Sequence, residues 1–529
     1  MADHDSDKSE RLENIPEQIS STGDSFVISS LSGQENRTPT NYLRKSVKHT
    51  VVPASNRFLV MFVGVIGVLL IVMSIGFGIF SIFAPSDYSA QEEIAQEFPG
   101  INATLAAKNM EINEELLTII REGTSLNQLM NKNISVENDL RQILADSFRE
   151  VNWETELKSL RRDVARNPWQ IGLMGLENHL TMLRHYNIRR QRVRQILNDP
   201  ATDMQPIYSK DKHGFGLKEE DRDLLWGYTH LEEYEVARAM TGLTLDQISG
   251  LSKASAKTDT KAVETKPNIA EAVNALCYIL KTAEIASRQR EINLRLTALF
   301  IRENALDILQ ALVRSPEFDR DAMQKIFQYL ERQIQEWPPD TLLFEGERTS
   351  GVWFYEVIRR GGLYEIAVPE DIAAIEKIGS PFSIEQTMRK RCNSDELFYL
   401  RQINKLIQIN RLPLEKRFAL LTQWEDEIET LRSDVETYPI VAGTLLFRDV
   451  RKIMLWLAED RTRIQAWTLA ISKAMEQPTE KYEIHPVTGQ PFRVSRTQDE
   501  YYGDELISVS WQGNALPIEV PMKNQSSKK

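Results

Sequence analysis

Two groups of ionisable residues carry the chemistry that this sequence offers. The first is the basic run Arg184, His185, Arg189, Arg190, Arg192 and Arg194. Guanidinium groups present forked N–H donors that match carboxylate and phosphate oxygens. Arg184, Arg189, Arg190, Arg192 and Arg194 are therefore candidate residues for binding an acidic lipid, polymer or protein. The competing expectation is a solvated helix face, paired with Glu219, Glu220 and Asp221 or with Glu232, Glu233 and Glu235. The second group is Glu345-Gly346-Glu347-Arg348, which follows Pro338-Pro339 and reads as an exposed turn. Two carboxyls can act as acid and base when their surroundings separate their pKa values. Glu345 and Glu347 are the candidate catalytic pair on that ground, and a helix cap or surface ion pair is the alternative.

Other reactive types are sparse. Two cysteines, Cys277 and Cys392, lie outside any C-x-x-C pair, and seven scattered histidines show no ligand spacing, so neither a metal nor a cofactor is expected. His213, beside Gly214-Phe215-Gly216, has no nucleophile close to it in sequence. A phosphate loop, a dinucleotide glycine fingerprint, H-E-x-x-H and G-x-S-x-G are all missing from the sequence. A net charge of -12 argues against a nucleic-acid binder, which normally carries a basic footprint.

The elements that must position these residues are mostly helical. Residues 58–84, FLVMFVGVIGVLLIVMSIGFGIFSIFA, contain no charged side chain. A helix needs roughly 20 such residues to cross a bilayer core, so the stretch reads as an uncleaved single-pass anchor. Arg44, Lys45, Lys48 and Arg57 precede it, whereas Asp87, Glu92 and Glu93 follow, with the next cation at Lys108. The positive-inside rule then keeps the N-terminus in the cytoplasm and places the C-terminal body in the periplasm or an equivalent space. Residues 1–57, polar and poor in aromatics, read as a disordered cytoplasmic tail.

Beyond the anchor, apolar residues recur at helical spacing. Leu176, Leu180, Leu183, Tyr186, Val193 and Leu197 form one such stripe. The expected organisation is a first helical region at 85–251, a flexible linker at 252–267 (SKASAKTDTKAVETKP), a second helical region at 268–475 and a small β-rich tail at 476–529. Within the tail, 481–496 and 505–520 each read as two short strands around a turn. Cys277 and Cys392 would be open to a disulfide in an exported body, and two buried thiols are the other reading.

The segment His485-Pro486-Val487-Thr488-Gly489-Gln490-Pro491-Phe492 resembles a D-P-x-[ST]-G-[KQ]-P-[LF] stretch that closes membrane-anchored helical proteins of planctomycete-type bacteria. Residues 290–348 are also similar, through paired apolar helices, Ala311 to Arg314 and Gly346-Glu347-Arg348. This chain has His485 where that pattern usually has Asp. The resemblance implies an anchored helical body and a bacterial source, and it carries no activity over.

These features predict a mainly α protein: one transmembrane helix, a large exported helical body and a small C-terminal β element. The first functional expectation is a structural or interaction protein, held in the bilayer through 58–84 and presenting its body to a protein partner. An exported ligand-binding sensor coupled to the cytoplasmic tail, and an exported hydrolase with a carboxylate site, are the alternatives. The missing local motifs favour a non-enzymatic role.

Overall fold

The computed structural model describes residues 88–98, 136–151, 173–204, 219–245, 247, 266–359, 361, 362, 364, 380–432, 441, 442, 446, 449–498, 505–511 and 517–522. All of them belong to one compact unit, Gly67–Lys529. The apolar stretch 58–84, the tail 1–57, the polar run 252–265 and His213 lie outside the described residues. Among the described residues, no helix is long and apolar enough to cross a membrane.

The described chain is mainly helical, with one small sheet at its C-terminal end. In order come α1 (Tyr88–Glu97), α2 (Leu140–Phe148), α3 (Leu173–Leu197), α4 (Glu219–Thr241), α5 (Ile269–Ser287) and α6 (Ile292–Leu312). Then follow α7 (Arg320–Gln335), α8 (Thr341–Arg359), α9 (Pro381–Asn410), α10 (Leu414–Arg432) and α11 (Val450–Ala474). Strands β1 (Arg493–Gln498), β2 (Glu505–Ser510) and β3 (Ile518–Pro521) form an antiparallel sheet in that order.

Helix starts are fixed by short polar side chains that satisfy otherwise orphaned N–H groups. Asn268 accepts from Glu271 N at 3.2 Å, and Asp319 accepts from Ala322 N at 3.0 Å. Glu291 does the same for α6, accepting from Leu294 N at 2.7 Å. Residues Val136–Asn138 form a 3-10 turn upstream of α2, and Asp139 caps that helix by accepting from Arg141 N at 3.2 Å. Gly242 ends α4 with a positive φ of 69°, a conformation that favours glycine.

Two hydrophobic cores result. One gathers α2 to α7, the C-terminal half of α11 around Ile464, Trp467 and Ile471, and the sheet through Ile507, Val509 and Val520. The other gathers α1, α8, α9, α10 and the N-terminal half of α11 around Val450, Met454 and Leu457. Two helices therefore serve both cores. α11 does so along its length, and α6 gives Ile292 and Leu299 to the second core while Leu294, Ile301 and Leu309 face the first.

Two local expectations need correction. Residues 345–348 are not a turn, because they lie inside α8. Gly346 is needed there for close packing: a Cβ would stand 2.2 Å from the Arg290 carbonyl oxygen. The pairing expected within 481–496 also reduces to a single bridge, Ile484 to Pro491. Pro486, Gly489 and Pro491 make that segment a tight turn, and Pro491 has no N–H to extend a ladder. β1 instead pairs with β2, from Arg493–Ser510 to Gln498–Glu505.

Candidate functional site

Helical phase divides the basic residues of α3 between two faces. Arg190 and Arg194 share the inner face with Leu183, Val193 and Leu197, and all five are buried. There they meet α4. Arg190 Nη1 donates to Glu232 Oε2 at 3.0 Å, and Arg194 Nε donates to Glu232 Oε1 at 2.8 Å. A further short contact joins Arg194 Nη2 to Glu232. Arg190 also approaches Glu235 at 3.4 Å, and the Arg194 guanidinium lies over the Tyr278 ring, 4.8 Å from its centroid.

The ladder continues across α4. Arg238 Nε donates to Glu235 Oε2 at 2.8 Å, and Arg238 Nη2 reaches Glu271 of α5 at 2.6 Å. Burial alone would raise the Glu235 pKa, but the Arg238 hydrogen bonds and the Arg190 and Arg238 charges outweigh it and hold the carboxyl at about 2. Glu232 and Glu235, one of the two acidic groups that the sequence offered as partners, thus bind Arg190 and Arg194 inside the protein. Ion pairs of this kind cost several kcal/mol per ion in desolvation, so they fix how helices dock more than they add stability.

The outer face of α3 is different. Arg184, His185, Ile188 and Arg192 are exposed, and Ile188 is 84 % so. Arg184 and Arg192 have no ion-pair partner among the described residues. Arg189 stands at the edge, donating to Ser147 O at 3.0 Å and facing Glu150 at 3.5 Å. The structure therefore places two of the five candidate arginines inside, one at the rim and two on the surface beside an exposed isoleucine.

Glu345 and Glu347 do not face each other, because residues two apart on a helix point in different directions. The carboxylate that acts on Glu347 is Glu291, the cap of α6. Glu347 keeps part of its surface, but protein packs around its carboxyl. That burial, and then the like charge of Glu291, pushes it up to about 8. Its backbone carbonyl accepts from the Tyr399 hydroxyl at 2.6 Å. A carboxyl so raised holds a proton at neutral pH, which is the state of a general acid.

A third cluster lies where α6, α10 and α11 meet the Trp337–Asp340 loop. Arg302 Nε stands 3.2 Å from Asp460 Oδ2, with its guanidinium 4.9 Å from the centroid of the Trp337 ring. Burial pushes Asp460 up to about 6, against the opposing charge of Arg302. Arg295 and Arg417 both face Asp340. Sequence reading missed this cluster, because its members are scattered from 295 to 460 and share no local motif.

Cys277 and Cys392 are free and buried in different cores. Burial pushes the Cys277 thiol up to about 12, which keeps it protonated. Among the described residues, no group of three or more His, Cys, Asp or Glu side chains could hold a metal ion. Comparison with family models, curated proteins and solved structures gives no match to this chain.

Proposed function

We propose that this chain is a single-pass membrane protein whose helical body presents the outer face of α3 to an acidic protein partner. The observation that carries the reading is the exposed trio Arg184, Ile188 and Arg192, with His185 beside them. An exposed large aliphatic side chain flanked by arginines that have no ion-pair partner among the described residues suits a partner with a carboxylate-rimmed apolar contact. The net charge of -12 disfavours non-specific approach of an acidic partner, so a local basic face would direct it. The uncharged run 58–84 and its flanking charges support an anchor with the tail in the cytoplasm and the body in the periplasm or an equivalent space.

The test is co-purification of tagged full-length protein from crosslinked native membranes, beside the double variant Arg184→Glu/Arg192→Glu. A defined partner recovered with the native chain, weakened by salt and lost from the variant is the expected result. Equal recovery with both chains would remove α3 from the interface.

A further inference from the structure

The strands of the C-terminal sheet are unequally covered. β2 and β3 pack on α11, and β3 also meets α6. Ile507, Val509, Ile518 and Val520 of these two strands belong to the first core. β1 stands outside that cover: all six of its residues, Arg493 to Gln498, are exposed. Among the described residues, β2 is the one strand that pairs with it.

Backbone alternation decides which groups the open edge of β1 carries. Along a paired strand, successive residues turn their N–H and C=O groups to opposite sides. Glu505 O accepts from Met522 N at 2.7 Å, on the β3 side. Leu506, Ser508 and Ser510 therefore turn toward β1, where they oppose Thr497, Ser495 and Arg493. Val494 and Arg496 fall between these partners, so their N–H and C=O groups point away from β2. The preceding segment keeps the same phase. Gln490 O accepts from His485 N, and Phe492 N donates to Glu483 O, both at 2.8 Å. Residues 483–485 thus fill this edge as far as Phe492, and at Val494 and Arg496 it lies open. An open edge is a template for a further strand.

The side chains along it restrict what could bind. Val494 opposes Val509 and shares its face, yet it is 40 % exposed; Ile484, bridged to Pro491, is 48 % exposed. β1 holds two arginines and no acidic residue. Arg496 pairs with Glu505 at 3.2 Å, whereas Arg493 has no ion-pair partner among the described residues. Joining two copies through β1 would double the positive charge on adjacent strands, but an acidic strand offsets it.

We propose that the open edge of β1 binds an extended acidic segment of a partner protein, which adds to the sheet as a further strand. Its backbone pairs with Val494 and Arg496, which supplies affinity, and alternate side chains supply selectivity. An apolar side chain lies beside Val494 and a carboxylate beside Arg493, on opposite faces of the added strand. The site is separate from the α3 face, and neither reading depends on the other.

Binding of fluorescent peptides to the purified full chain in detergent tests the proposal. The probe is a short peptide of alternating valine and glutamate, compared with its lysine counterpart and with a copy N-methylated along the backbone. The native chain is expected to bind the glutamate peptide saturably, more weakly in high salt, and to reject the N-methylated copy. Val494→Pro removes an outward N–H and leaves the β1–β2 ladder intact, so it is expected to keep the native Tm and to bind about tenfold more weakly. Ser495→Pro removes a ladder donor and is expected to unfold at a lower temperature. Arg493→Glu is expected to switch the preference to the lysine peptide. No binding by the native chain, equal binding of the N-methylated copy, or unchanged binding by either Val494→Pro or Arg493→Glu would each overturn the site. An equal fall in Tm for Val494→Pro and Ser495→Pro would overturn the phase of the edge. Dimerisation of the native chain that Val494→Pro abolishes would assign the edge to a second copy and overturn the acidic segment.

Discussion

Glu232 holds two arginines from another helix and is itself fully buried. Neutralising it would leave Arg190 and Arg194 without their shared counter-ion. Glu232→Gln is therefore expected to destabilise the fold by about 3–5 kcal/mol, whereas Arg184→Gln on the outer face changes it by about 0.5 kcal/mol or less. Chemical denaturation of the two variants checks the contrast, and similar values for both would contradict the assignment of faces. His485 carries a second residue-scale prediction. Its Nδ1 accepts from Val487 N at 3.0 Å and from Thr488 N at 3.3 Å, so the neutral imidazole does what a carboxylate at that position would do in such a turn. Burial lowers its pKa, although its own backbone opposes the shift. The unfolded chain consequently binds the proton more readily. The stability of the turn is complete above the unfolded value of about 6.5 and is lost as pH falls through the lower folded value. Hydrogen-exchange protection of the Val487 and Thr488 amides is expected to be full above about pH 6.5 and to fall as the pH drops below it. His485→Asp removes that fall, and a native chain with constant protection would contradict this account.

At the scale of elements, what could be read in advance depended on how local the cause was. The starts of α5, α6 and α7 follow apolar spacing and nearby caps, all contained within a few residues. Division of the α3 arginines also has a local origin, because Arg190 and Arg194 are one turn apart and flank Val193 on the apolar stripe. Which acidic group they meet depends on the docking of α4, and that is tertiary. The 345–348 segment was misread because Gly346 after two prolines has the composition of a turn. Its glycine instead answers to the Arg290 backbone, some 56 residues earlier in the chain. The sheet shows the same limit: turn residues in 485–491 were legible, but the choice of β2 as the partner of β1 was not. The Asp340 cluster, assembled from the loop, α6, α10 and α11, had no local signature at all.

At the scale of the molecule, α6 and α11 join two cores, and polar residues of both helices concentrate where the cores adjoin. The ladder from Arg194 to Glu271 ties α3, α4 and α5 together, leaving Arg184, Ile188 and Arg192 on the outer face of α3. The central claim is that this surface meets an acidic partner on the far side of the membrane anchor. A photo-crosslinking residue placed at position 188 of the full-length chain in native membranes tests it most directly, with the same residue at buried position 193 as the control. The account predicts a defined crosslinked protein from position 188, diminished by salt and absent from position 193. No product from position 188, or the same products from both positions, would contradict it.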